Sequence, residues 1–164
     1  MTLCHTAVNT PLGTLCIAAT DDALAGVWFE GQKHAPRPPY PSHALSHDDH
    51  PLLRRAAQQV QAFLAGHPDS FDLPLHPALG TPFQREVWQQ VSRIPRGQVR
   101  RYADIARALG RPKAARAVGA AVGRNPWILL VPCHRVVGQD GRLTGYAAGL
   151  ERKQHLLTME GALH

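Results

Sequence analysis

With 164 residues, 44% apolar side chains and 14 each of glycine and proline, the chain is long enough to bury a core and has the composition of a turn-rich globular protein, not of a fibre or a disordered tail. Three cysteines set far apart (Cys4, Cys16, Cys133) argue against a disulfide framework; with no run of about 18 apolar residues and no export signal, a cytoplasmic location without membrane attachment is expected. The net charge of +6 is uneven: residues 1–50 carry two basic side chains against five acids, whereas nine of the 18 Lys and Arg fall between Arg93 and Arg124 against one acid, Asp104, as on a phosphate-contacting face.

The first thirty residues predict an antiparallel meander of three strands, "TLCHTAV", "TLCIAAT" and "LAGVWF", separated by the turn signals "NTPLG" and "TDD". The following "HAPRPPYPSHALSHDDHP" reads as a solvated loop. Its histidines, His34, His43, His47 and His50, lack a rigid element to fix them and a nearby cysteine, so no metal is expected there. From Pro51 to Ala65, Leu52, Ala56, Val60, Phe63 and Leu64 recur at helical spacing, with Pro51 suited to a first turn and Gly66 to a stop. The loop "HPDSFDLPLHPALG" is the expected boundary between an N-terminal domain, 1–78, and a C-terminal one, 79–164. Thr81 and Pro82 then cap and open a helix with Phe83, Val87, Val91 and Ile94 on one face.

"IPRG" predicts a turn, "QVRRY" a short extended stretch, and "ADIARAL" a helix stopped by Gly110. Pro112 opens a second helix, "PKAARAVGAAVG", that ends before Asn125-Pro126, and the pair forms a helix-turn-helix. This second helix carries Lys113 and Arg116 among residues that are otherwise nearly all Ala, Gly or Val. Its backbone can therefore press closely into a DNA groove, with Arg116 as the long probe.

The stretch "VPCHRVV" sets Cys133 beside His134. Free cysteine is only about 3% thiolate at pH 7, and lowering its pKa by about two units, worth roughly 2.7 kcal/mol, would make most of it reactive. A histidine is the obvious means, but neighbours in an extended segment point to opposite sides. Pro132 bends the chain, so communication between sulfur and imidazole is expected through water, with Glu160 near the end of the last helix as the group that orients the ring. Cys4 and Cys16 read as small buried hydrophobes.

Taken together, "FQREVW", "IPRGQVRRYADIA", "PKAARAVGAAVGRNP", "VPCHRVV", "TGYAAGLERK" and "LLTMEG", in that order between Thr81 and Ala162, closely resemble the O6-alkylguanine-DNA alkyltransferases, or methylated-DNA–protein-cysteine methyltransferases. "TPLGTLCIAAT" and "LAGVWF" extend the resemblance more faintly to the N-terminus. It implies an α/β fold: a ribonuclease H-like three-stranded antiparallel sheet with a helix, followed by a winged-helix-like domain with a helix-turn-helix. The implied function is direct repair of alkylated double-stranded DNA by a monomer without cofactor, the lesion being flipped out from the minor groove. By motif, Cys133 is the alkyl acceptor, His134 and Glu160 manage its proton, Tyr102 is the acid and assists rotation of the nucleotide, and Asn125 braces the turn before the cysteine loop. Arg116 fills the gap left by the base; Tyr102, Lys113, Ala115, Ala117, Gly119, Arg124 and Arg135 contact DNA; Tyr146, Trp127, Val136, Ala147 and Ala148 line the substrate pocket.

Some relatives place a serine after the tyrosine matching Tyr146. Here Ala147 and Ala148 follow, so O6 is left to backbone N–H groups, and larger alkyl groups or O4-alkylthymine become candidate substrates. Some relatives also bind a structural zinc, but Cys16 does not match that pattern, and no metal is expected. The residues alone leave open a non-catalytic lesion sensor, a cysteine hydrolase and a plain helix-turn-helix regulator. The sensor needs an inert thiol, the hydrolase a base in direct reach and an oxyanion pocket, and the regulator makes Cys133 incidental.

Overall fold

The computed structural model describes residues 3–37, 40, 42–45, 47–67 and 71–163. By its internal contacts the chain divides into two units, Met1–Leu79 with Pro126–Ile128, and Gly80–Asn125 with Leu129–His164. The fold is mixed α/β, with a small sheet in the first unit and helices dominating the second. Among the described residues no helix is long and apolar enough to cross a membrane.

In the first unit, β1 (Cys4–Thr10), β2 (Gly13–Ala19) and β3 (Leu24–Phe29) form the expected antiparallel meander. The three-stranded expectation falls one strand short, because β4 (His43–Ala44) runs parallel to β1 and gives the order β3-β2-β1-β4. Two residues are too few to show a period. Alternation along β2 and β3 puts Leu15, Ile17, Val27 and Phe29 on one face, and α1 (Pro51–Leu64) packs on the sheet with Leu53, Ala56 and Val60 buried. Each such large apolar side chain contributes about 1.5–3 kcal/mol by leaving water.

On the other face Cys16, Ala18 and Trp28 form a second buried cluster, against which Leu3, Ala25, Ala35 and Tyr40 pack. Ala35 and Tyr40 come from the Pro- and His-rich segment, and these two residues cover that face of the sheet. Among the described residues its histidines do not form one cluster. His43 is in β4, His50 caps α1 by accepting the Leu53 N–H on Nδ1 at 3.3 Å, and the side chain of His47 lies outside the described residues. Among the described residues no group of His, Cys, Asp or Glu is placed to hold a metal.

The second unit starts with a capping box: Thr81 accepts the Gln84 N–H while Gln84 accepts that of Thr81, which fixes the start of α2 (Pro82–Ser92). The Trp88 indole of α2 donates to Ala121 O at 2.8 Å and pins this helix to α4 (Ala115–Gly123). Before α4 come β5 (Arg100–Arg101) and α3 (Tyr102–Ala108), which ends ahead of Gly110 at φ 71°. β6 (Val136–Val137) pairs in parallel with β5, and α5 (Leu150–Met159) follows.

The helix expected from Pro112 begins three residues later. The Ala114 N–H returns to Arg111 O in a tight turn, and the Val118 N–H to Ala114 O bond is where helical bonding starts. Lys113 therefore lies in the turn before α4, not on its surface as expected.

Candidate active site

The cysteine segment is bent by two successive turns. Pro132 sits at φ −79°, ψ 62°, with the Cys133 N–H bonded to Val131 O at 2.7 Å, the geometry of an inverse γ-turn. Cys133–Arg135 then form one turn of 3₁₀ helix, closed by the Arg135 N–H to Pro132 O at 2.9 Å. Successive side chains on such a turn diverge by about 120°. Cys133 and His134 thus leave the backbone in different directions. Upstream, the buried Leu129 holds φ 74°, a left-handed conformation costly for a bulky side chain.

Three groups meet this turn. Asn125, just beyond the end of α4, donates Nδ2 to Val131 O at 2.9 Å and to Cys133 Sγ at 3.3 Å. The first bond ties it to the segment before Cys133, and the second is a contact with the sulfur that the sequence reading missed. Glu160, at the C-terminal end of α5, takes Oε1 to within 3.1 Å of His134 Nε2. Arg135 donates Nε to Glu160 Oε1 at 2.9 Å, an end nitrogen to Oε2 at 2.6 Å, and the other to Ile94 O at 2.8 Å. Arg135 was expected at the DNA surface. Its guanidinium is instead locked into a bidentate pair with a carboxylate of 0% side-chain exposure.

The electrostatics follow from burial and these bonds. Burial would raise the Glu160 carboxyl, but hydrogen bonds from Arg135 and His134 outweigh it and hold it at about 2. Burial pushes His134 below its usual 6.5 against the pull of Glu160, so the ring is neutral near pH 7. The Cys133 thiol moves opposite to expectation: burial pushes it up to about 11, only partly offset by the Asn125 amide, the charge of Lys153 and backbone N–H groups. A residue 3% exposed pays more for a buried anion than its neighbours return. The resting sulfur is a protonated thiol in a polar shell.

Lys153 is the buried group the sequence reading did not single out. It is 0% exposed, and its ammonium donates to Val136 O at 2.6 Å, Thr144 O at 2.9 Å and Gly145 O at 3.2 Å, tying α5 to β6 and to the segment before Tyr146. Burial lowers its pKa to about 8. A signal was available, since Lys153 shares a helix face with Leu156 and Leu157, both fully buried.

Tyr102, at the start of α3, donates its hydroxyl to the same Thr144 O at 3.3 Å, and burial raises its pKa, so it stays a proton donor. Gly119 of α4 faces the Tyr102 ring, where an added Cβ would lie 3.8 Å away. Tyr146 lies edge-on to His134, centroids 6.4 Å apart, and burial raises its hydroxyl pKa well above 10. Val136 and Ala148 are buried, and Ala147 is half-buried. Trp127 departs from the expected pocket: it belongs to the first unit, where its indole N–H donates to Leu24 O at 2.8 Å and the residue bridges Val27 of β3. On the helix pair, Arg116, Ala117 and Arg124 are exposed and Ala115 and Gly119 half-exposed. A cleft of about 200 Å³ between α2 and α3, lined by Gln90, Arg93, Ile94, Arg100, Asp104, Ile105 and Ala108, includes none of the expected pocket residues.

Fold and site together define a class: a small sheet unit followed by a helix-turn-helix unit that carries a cysteine beside an Asn amide and a buried His–Glu–Arg network. Residues 82–162 match the family described as 6-O-methylguanine DNA methyltransferase, DNA binding domain, and residues 3–77 its ribonuclease-like domain. A methylated-DNA–protein-cysteine methyltransferase of Methanosarcina acetivorans is 42% identical over 94% of this chain and 96% of its own. The constitutive one of Bacillus subtilis is 44% identical over 95% and 94%. The Mycobacterium tuberculosis O6-methylguanine methyltransferase superposes with a TM-score of 0.86 at 35% identity, covering 98% of this chain and 94% of that one; the same organism's OGT, solved in complex with DNA, gives 0.86 at 37%, covering 97% and 93%. The chain belongs to the methylated-DNA–protein-cysteine methyltransferase family.

Proposed function

We propose that this chain repairs alkylated double-stranded DNA by moving the alkyl group from O6 of guanine onto its own Cys133. The observation that carries the reading is the Asn125 amide on Cys133 Sγ, with the buried His134–Glu160 pair on the next residue. A neutral histidine held by an ionised carboxylate is a base ready to accept a proton, and the amide stabilises the sulfur as charge develops.

With the thiol near 11, a standing thiolate is not the nucleophile. The proton leaves as attack begins, through water to His134, and Glu160 stabilises the imidazolium. The Sγ–C bond forms in line as the C–O6 bond breaks, and the electron pair passes to guanine, which takes a proton from Tyr102. The proton on His134 then restores the Tyr102 hydroxyl through solvent. The net reaction exchanges the alkyl group for the thiol hydrogen. The thioether has no route to release, so each molecule acts once.

For DNA, Arg116 fills the space of the extruded base, the small residues Ala115, Ala117 and Gly119 allow close approach to the minor groove, and Lys113 and Arg124 bind phosphates. At 3% exposure Cys133 is reached only when its surroundings yield to the arriving base, with Tyr146, Ala147 and Ala148 proposed as the pocket lining. The protein acts as a monomer in the cytoplasm, where thiols stay reduced. The hydrolase alternative needs an imidazole in direct reach to accept the thiol proton, whereas the side chain that meets the sulfur is the Asn125 amide, a donor. Incubation with duplex containing O6-methylguanine, followed by peptide mass mapping, should place one added methyl on Cys133. Tight binding without transfer would instead support a lesion sensor, and neither outcome a regulator.

A further inference from the structure

His134, Glu160 and Arg135 form a buried group of three. The side chains of His134 and Glu160 are 0% exposed and that of Arg135 12%. An ionised carboxylate can only accept, so the proton of the neutral imidazole sits on Nε2, facing Glu160 Oε1 at 3.1 Å, and Nδ1 is the basic nitrogen. Arg135 makes the shorter bonds to the same carboxylate, 2.9 Å to Oε1 and 2.6 Å to Oε2, and its other end nitrogen is fixed on Ile94 O just after α2. Among the described residues, the other ionisable groups around the ring are the Cys133 thiol, the Tyr146 phenol from the segment before α5, and the Lys153 ammonium of α5. Lys153 is committed to the carbonyls of Val136, Thr144 and Gly145, so Arg135 is the cation that Glu160 meets directly.

A carboxylate taken out of water needs a counter-charge. Arginine supplies it permanently, because a guanidinium does not deprotonate in a protein. With Arg135 in place the charges of the three groups cancel while the imidazole is neutral. Without it, the uncharged state of the remaining pair holds one proton more, either as imidazolium with carboxylate or as imidazole with carboxylic acid. Neither form serves: the first cannot take the thiol proton, and the second has no anion to stabilise the imidazolium. We infer that Arg135 is a positioning residue for the transfer, which supplies the counter-charge of Glu160 in place of a proton and so keeps His134 able to accept the proton of Cys133. This rests on the repair reading above and adds no new bond change: the S–H bond breaks and the proton passes through water to Nδ1 of His134. The three groups then carry one excess positive charge, which burial makes costly, so the proton leaves again after transfer.

Two readouts on the full chain, Arg135→Gln and Arg135→Lys test this. The first is the titration of the His134 ring nitrogens by NMR without DNA, and the second is single-turnover transfer from O6-methylguanine duplex at pH 6.5 and 7.5. In the full chain the ring should titrate below 6.5. In Arg135→Gln its titration should rise by about one to three pH units, and transfer should gain about five- to tenfold between the two pH values. Arg135→Lys keeps the charge but not the fork, so its ring should titrate as in the full chain and its transfer should stay level with pH, even at a lower absolute rate. A ring that titrates alike in the full chain and Arg135→Gln overturns the inference, since loss of rate alone would make Arg135 a structural brace. So does an Arg135→Lys profile that follows Arg135→Gln, which would put geometry before charge. A full-chain ring titrating above about 7 overturns it with no variant needed, and therefore also if neither variant folds. Failure of the full chain to transfer methyl to Cys133 would sink the repair reading, whereas the ring titrations are read without any transfer and judge Arg135 separately.

Discussion

A thiol held near 11 beside a histidine held below 6.5 makes pH the sharpest probe of how Cys133 is activated. At pH 7 about one molecule in 10,000 carries the thiolate, and that fraction grows tenfold per pH unit. A neutral haloacetamide reacts with the thiolate, so its rate on Cys133 should rise about tenfold between pH 6.5 and 7.5. Transfer from O6-methylguanine in duplex DNA should change less than about twofold over that interval, because His134 is already neutral and takes the proton during attack. The interval stays below about 8, where Lys153 loses its proton. Both rates are read by mass on the Cys133 peptide, which separates it from Cys4 and Cys16. In His134→Phe the DNA rate at pH 7 should fall about 10²- to 10⁴-fold and acquire the slope of the small reagent. Parallel tenfold slopes for both reagents in the unaltered protein would refute the base role of His134.

Arg116→Ala should slow repair of duplex DNA far more than reaction with the free alkylated base, measured by single-turnover transfer; equal losses would remove its place in the stack. Arg135→Met leaves the Glu160 carboxylate buried with His134 and without its bidentate partner, which should cost about 3–5 kcal/mol and lower the melting temperature by roughly 10 °C in a circular dichroism melt. The salt dependence of binding to undamaged duplex should not change in that variant, since Arg135 makes no phosphate contact in this account. A lower slope would return Arg135 to the DNA surface. Because Glu160 falls from 4.5 to about 2 on folding, its contribution, on the order of 3 kcal/mol, is complete above about pH 4.5 and is lost as the pH drops through about 2. Glu160→Gln should flatten that acid limb of a urea-denaturation series; an unchanged limb would mean that the carboxylate is not held as described.

The parts of the fold legible in the sequence are those written by local periodicity. β1 to β3 alternate and end at turn residues, and the buried positions of α1 match its helical spacing. Thr81 and Gln84 spell their cap within four residues. β4 escaped because two residues paired in parallel carry no pattern, and Lys113 was misplaced because a proline is equally at home in a turn and at a helix start. At the site, residue identities were readable but their partners were not. An arginine beside a cysteine looks like a phosphate contact until Glu160, 25 residues on, is seen to occupy it. Trp127 reads as pocket until its indole is found on Leu24. The direction of the Cys133 shift depended on a sum of opposing effects, and burial, the largest, is the one a motif does not carry.

The central claim is that Cys133 is a one-time acceptor. Protein incubated with a large excess of duplex bearing isotopically labelled O6-methylguanine should take up one methyl per molecule and stop, and Cys133→Ser should take up none. Continued release of repaired DNA beyond one equivalent, or label retained by the serine variant, would contradict the account.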